Sequence, residues 1–309
     1  MLKKWNFLLL CLTVIFGLTA CTAQSGNSAA DTDKIKVTVS FNALKELTEA
    51  IGKDKVEVTT IIPDGTEAHD FEPKAQDLVA LSKAQVFVYN GLGMESWAEE
   101  AASASDNKDL IVVVASDGVD PIVREDAEED EHEDEEEEEH GKYDPHTWLS
   151  ITAVQTEVKN IADALVKADP DNKDFYEENC ADYTAQLNEL FTEYSQKFQA
   201  ISKKNFVTGH AAFGYLCRDF GLTQNSVSDV FAEGEPSAQQ LTKLVEYCRD
   251  NNVTTIFAEE MASPAVSETL ANEVGAKVET IYTMEGAEDD KTYLERMEEN
   301  LSKIYDSLS

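Results

Sequence analysis

At 309 residues the chain is long enough for two domains of ordinary size, and its 42% hydrophobic and 8% aromatic content is that of a globular protein. The formal net charge of -36 is extreme, but residues 125–140 alone supply 13 carboxylates and no Lys or Arg, and the remainder is only moderately acidic. Nucleic-acid binding is excluded either way, because neutralising phosphates needs clustered Lys and Arg that the sequence lacks.

The N-terminus reads as a targeting segment. Lys3 and Lys4 precede an apolar run over residues 7–18 that is too short to stay in a bilayer as a spanning helix. The run ends LTAC at residues 18–21, similar to a bacterial lipobox, so residues 1–20 are expected to be a lipoprotein signal peptide and Cys21 the lipidated residue. Residues 21–34, rich in Ser, Ala, Gly, Asn, Thr and Asp, are then a lipid-anchored flexible tether. Such a protein hangs from the outer face of a membrane. More than one acyl chain is needed, since each buried methylene contributes roughly 0.8 kcal/mol. Beyond Cys21 stand Cys180, Cys217 and Cys248, an odd number, of which Cys217 with Cys248 is the one pair expected.

From residue 35 short β-branched runs alternate with amphipathic stretches. Strands are expected over residues 35–40, 56–62, 85–89 and 110–115, with helices over 44–52, 75–83 and 95–104 between them. A second series has strands over 205–208, 222–226, 254–257 and 277–281 and helices over 211–220, 237–251, 264–274 and 291–308. Ser237 and Ser263 are expected N-caps, with Pro264 at a first helical position. This βα alternation predicts an α/β protein of two lobes with mainly parallel sheets, residues 35–170 and 203–309. Between them, apolar residues keep a helical period over 171–202, predicting a helix roughly 48 Å long, longer than either lobe is wide and therefore shared by both. One stiff connecting helix restricts hinge motion.

The acidic run EDAEEDEHEDEEEEEH over residues 125–140, within a loop expected over 125–142, has no apolar surface to bury and repels itself. It is followed by GKYDPHTWLS over residues 141–150, where Trp148, Leu149 and Ile151 offer apolar anchors for His146. The chain has five histidines: His132 and His140 in the acidic run, His146 after it, and His69 and His210 alone in distant segments. His69 and His210 each follow an expected strand, where an α/β lobe places its ligand groups. Three imidazoles converging from separate segments suit a borderline ion such as Zn(II).

The sequence resembles the metal-specific solute-binding lipoproteins of bacterial zinc and manganese ABC importers over nearly all of the chain after Cys21. The resemblance is carried by GTEAHDFEP (65–73), DPHTWL (144–149), GHAAFGY (209–215), EPS (235–237), IFAE (256–259) and YLERMEENL (293–301). It implies two (βα)4 lobes joined by a backbone helix, with one metal ion in the interlobe cleft held by His69, His146 and His210. Many members supply an Asp as fourth ligand after the last strand; here that segment reads IYTMEG (281–286), and Glu285 occupies the matching place. Manganese-type relatives tend to carry Glu where His210 stands, and imidazole in place of a hard carboxylate moves preference toward zinc. The implied function is extracytoplasmic capture of Zn(II) for a membrane permease, by a monomer anchored to the bilayer through Cys21. His132 and His140 form a possible accessory metal loop. Alternatives are a manganese-binding member of the same family, a surface adhesin, or a zinc hydrolase, the last against the absence of HExxH and Gly-x-Ser-x-Gly motifs.

Overall fold

The computed structural model describes residues 34–124, 141–230, 237–259, 264–287 and 289–309. In the first lobe, β1 (Ile35–Val39), β2 (Val56–Thr60), β3 (Val86–Tyr89) and β4 (Ile111–Val114) form a sheet in the order β2-β1-β3-β4, accompanied by α1 (Asn42–Gly52), α2 (Ala98–Ala104) and α3 (Ile151–Ala168). In the second lobe, β5 (Asn205–Thr208), β6 (Thr223–Ser226), β7 (Thr255–Glu259) and β8 (Lys277–Ile281) repeat the order as β6-β5-β7-β8, with α5 (Gly214–Phe220), α6 (Ala238–Asp250), α7 (Ala265–Val274) and α8 (Tyr293–Leu308). Every strand pairing within these two described sheets is parallel. Strand order reverses beside β1 and beside β5, so each sheet has a crevice beyond its carboxyl edge.

Period-two alternation assigns the side chains of β3, β5 and β7 to two different cores. Val86 and Val88 of β3 face a large central cluster, whereas Phe87 and Tyr89 face a small outer cluster with Ile61, Leu81 and Ala98. In the second lobe, Phe206 and Phe257 face the central cluster while Val207 and Ile256 pack outward with Leu244 and Leu270. The central cluster is continuous across the lobes, running from Leu44 and Leu47 of α1 through Val154 and Leu165 of α3 to Met297, Leu301 and Ile304 of α8.

Linking the lobes is α4 (Lys173–Ala200), with 28 residues and hence about 42 Å long. Its buried residues Tyr176, Tyr183, Leu187, Tyr194 and Phe198 recur at alternating intervals of seven and four, one stripe along the helix. The helix is shorter than residues 171–202 because Pro170–Asn172 form a separate 3-10 turn and Ile201 is extended. No described helix is long and apolar enough to cross a membrane.

Several expectations are corrected. Residues 75–83 form two 3-10 turns, Asp77–Val79 and Leu81–Lys83, in place of one helix; only Leu81 is buried and Val79 is exposed, so no apolar face rewards nucleation of a longer helix. Pro264 precedes α7 as its N-cap residue rather than opening it, and Ser263 lies outside the described residues. Ser237 does cap α6, in a reciprocal capping box with Gln240. Cys217 and Cys248 are both free, as is Cys180. Cys217 belongs to the central core and Cys248 to the outer core of the second lobe, on opposite faces of one sheet, which rules out their pairing.

A continuous interlobe core predicts a single cooperative urea transition by far-UV circular dichroism, with Leu187→Ala lowering stability by about 2–5 kcal/mol; two separated transitions would contradict this. The lobes are also tied by Arg296, which bonds Asp289 and Glu46. Burial pushes the Asp289 carboxyl up, but the Lys291 N–H and ammonium and the Tyr282 hydroxyl outweigh it and hold it down at about 2. Its stabilisation is therefore present above an unfolded-state value of about 3.9 and is lost as pH falls toward 2. The stability difference between the parent and Asp289→Asn should shrink over that window in acid denaturation.

Candidate metal centre

The carboxyl edges of the two sheets face one another, and the loops that leave them carry the site. His69 follows β2 on the segment after Ile61 and Ile62, His210 stands two residues beyond β5, and Glu285 four residues beyond β8. His146 precedes the 3-10 turn Thr147–Leu149 that leads into α3. That turn is a rigid mount: Trp148, Leu149 and Ile151 are buried, and Ser150 caps α3 by accepting the Ala153 N–H.

One ligand atom from each of His69, His146, His210 and Glu285 lies within 4.8 Å of all the others, and all four residues are buried. Nε2 of His146 is 3.2 Å from Nε2 of His69 and 3.4 Å from Nε2 of His210. Zn–N bonds of about 2.0–2.1 Å give a tetrahedron with edges of about 3.3–3.4 Å. The two Nε2–Nε2 separations match those edges. The residues present therefore fit a four-coordinate ion of that size.

A buried carboxylate backs each of two histidines. Asp144 Oδ1 accepts from the His146 backbone N–H and lies 2.9 Å from its Nδ1, which places the ring proton on Nδ1 and the lone pair of Nε2 toward the cluster. Glu259, the last residue of β7, accepts the His210 N–H at 3.0 Å and lies 3.6 Å from its Nδ1. Burial, with the neighbouring His210, holds His146 well below its ordinary value, so it is neutral. Burial also pushes His210 down, but the hydrogen bond and charge of Glu259, with Glu285 and Glu67, prevail and raise it. Burial pushes the Asp144 carboxyl up to about 7 against the His146 N–H.

The two glycines of GHAAFGY make room for these carboxylates. A Cβ on Gly209 would lie 2.0 Å from Glu259 Oε2, and one on Gly214 would lie 2.7 Å from Asp144 Oδ2. Tyr215 completes the link between lobes, donating its hydroxyl to the Asp144 carbonyl at 2.6 Å and accepting the Ile122 N–H.

Glu285 is held differently. Its loop bends at Met284, a buried non-glycine residue with φ 63, a conformation that persists only when its surroundings enforce it. The Trp148 indole donates to the Thr283 carbonyl at 2.7 Å, and the Asn42 N–H donates to the Glu285 carbonyl at 3.2 Å. Sequence reasoning assigned no role to Asp144, Glu259 or Asn42. The first two stand in motifs already singled out, DPH and IFAE, and a carboxylate two residues before a ligand or at a strand's carboxyl end is the signal that would have found them. Of the other expected site residues, Cys21, His132 and His140 lie outside the described residues.

The chain matches the family described as zinc-uptake complex component A, periplasmic (ZnuA), over residues 37–307. It belongs to that family. It is 46% identical over 297 residues to a Treponema pallidum (strain Nichols) protein, covering 96% of this chain and 94% of that one. It is 41% identical over 315 residues to the high-affinity zinc uptake system protein ZnuA of Bacillus subtilis (strain 168), covering 100% of this chain and 99% of that one. Among solved structures it is similar to the laminin-binding protein Lmb of Streptococcus agalactiae, described as a bifunctional protein with adhesin and metal transporting activity. The TM-score is 0.80 at 33% identity, covering 89% of this chain and 100% of that one.

If Asp144 orients His146, Asp144→Asn should leave the circular dichroism spectrum unchanged and lower Zn(II) affinity by about 10–100-fold in a competition titration against a chromogenic chelator. An unchanged affinity would remove that role.

Proposed function

We propose that the protein captures Zn(II) outside the cytoplasm and delivers it to the permease of an ABC importer, with His69, His146, His210 and Glu285 as the four ligands. The observation that carries this reading is the buried convergence of three imidazoles and one carboxylate in a chain of the zinc-uptake family. Imidazoles suit zinc, whereas manganese is better served by oxygen donors, so the donor set favours zinc over the manganese alternative. The Glu285 carboxylate would offset one positive charge of the ion.

Four protein ligands also speak against hydrolysis, because a catalytic zinc keeps a position for water. The family is an uptake component rather than an enzyme. A closed four-ligand site gives up its ion slowly, so release is driven at the permease.

The same reading gives the N-terminal segment its purpose. Residues 1–20 direct export, Cys21 carries the acyl chains, and the segment to residue 34 is the tether from which a monomer reaches the permease. The carboxylates of residues 125–140, with His132 and His140, attract cations toward the cleft and bind them weakly. The adhesin activity described for the Streptococcus agalactiae relative defines the second reading.

The deciding measurement is metal content and Zn(II) affinity of residues 22–309. One tightly held zinc is expected, retained when residues 125–140 are deleted. His210→Ala should weaken it by more than the about 10–100-fold that follows loss of a group hydrogen-bonded behind a ligand. Binding that disappears with the acidic segment, or Mn(II) displacing Zn(II) at comparable concentration, would overturn the reading. Loss of adhesion with intact zinc uptake in a deletion strain would favour the adhesin.

A further inference from the structure

The Glu285 loop is built across the lobe boundary, and its far end is held by an unusual group. Arg296, in the first turns of α8, is 1% exposed, although a guanidinium in the interior is costly unless every donor is matched. Its fork grips two carboxylates from different lobes. Nη1 donates to Glu46 Oε1 of α1 at 2.5 Å, while Nε donates to Asp289 Oδ1 at 2.9 Å and Nη2 pairs with the same oxygen as an ion pair at 2.9 Å. Nη2 also donates to the Asp289 carbonyl at 3.0 Å.

Both carboxylates lead to the metal site. Glu46 Oε1 accepts from Asn42 Nδ2 at 2.7 Å, and the same Nδ2 donates to the Gly286 carbonyl at 3.2 Å, beside the backbone bond from Asn42 to Glu285. Asp289 Oδ2 accepts from Tyr282 OH at 3.1 Å, and Asn300 brackets Tyr282 through its N–H and carbonyl. The loop is thus fixed at Tyr282, at Glu285 and Gly286, and at Asp289. Arg296 holds the last directly and the middle through Glu46 and Asn42, against the strain at Met284.

We propose that Arg296 is the positioning residue for the fourth ligand: its fork, through Glu46, Asn42 and Asp289, sets the place of the Glu285 carboxylate opposite the three histidines. This rests on Glu285 being a ligand.

The test uses the full-length protein and Zn(II) alone, with affinity read by chelator competition for the parent, Arg296→Lys, Glu285→Ala and the double variant. Lysine keeps the charge but cannot present a fork to two carboxylates. Arg296→Lys should lower affinity about 10–100-fold. Glu285→Ala should lower it at least as much, and the double variant should match Glu285→Ala within about twofold, the scatter of additivity. An Arg296→Lys penalty that persists in the Glu285→Ala background marks a merely structural role and overturns the proposal, as does a silent Arg296→Lys beside a weakened Glu285→Ala. An unchanged affinity in Glu285→Ala instead overturns the ligand assignment, and the proposal with it. Should Arg296→Lys fail to fold by circular dichroism, Glu46→Gln and Asn42→Ala replace it, with the same outcomes deciding.

Discussion

Three imidazole nitrogens and a carboxylate meeting at one buried point is the constraint from which the rest of the structure follows. Desolvation penalises every charged form there, so the site tolerates the histidines only as neutral rings or with a carboxylate behind them. His146 is pushed to the neutral form by burial, and His210 is offset by Glu259. Holding four groups from separate segments to within a few tenths of an ångström needs a frame that does not breathe. The shared central core, threaded by the apolar stripe of α4, supplies it.

That core also limits how the protein can move. Two lobes that bury separate cores can hinge at their connection, but here α1, α3, α4 and α8 contribute to one continuous cluster, and opening it would expose apolar area across the whole boundary. Polar ties reinforce it on both sides of the site: Asp219 accepts from Ser150 and Thr152, and Tyr293 donates to the Trp148 carbonyl. The core reaches the carboxyl-edge loops as well, through Ala68, Trp148, Leu149 and Met284. Among the four cluster residues, Glu285 sits on the loop with strained backbone at Met284, whereas His146 is mounted on a buried turn.

The glycines of GHAAFGY show how the site constrains sequence beyond the four residues that converge there. Gly209 and Gly214 are small because Glu259 and Asp144 must pass close to that backbone, the first behind His210 and the second behind His146. A segment that looks like one ligand motif is therefore also the space through which two other elements reach the site.

Much was legible in the sequence because it is written in local periodicity. Strand alternation, the stripe of α4 and the N-cap at Ser237 depend on neighbours within a few residues, and the strands appear within two residues of where the pattern puts them. The histidines were legible because so few stand outside the acidic run, and each follows a recognisable strand or turn. What failed was also local in cause: residues 75–83 carry helix-forming composition but bury only Leu81, and a paired Cys217 and Cys248 ignored which face of the sheet each occupies. The sequence by itself determined the α/β class, the two lobes and the histidines, since each rests on short-range spacing. Only the tertiary structure decided which carboxylates stand behind them, how Asn42 and Arg296 reach the Glu285 loop, and that the lobes share one core, because those contacts join residues up to 250 positions apart and leave no periodic trace in the chain.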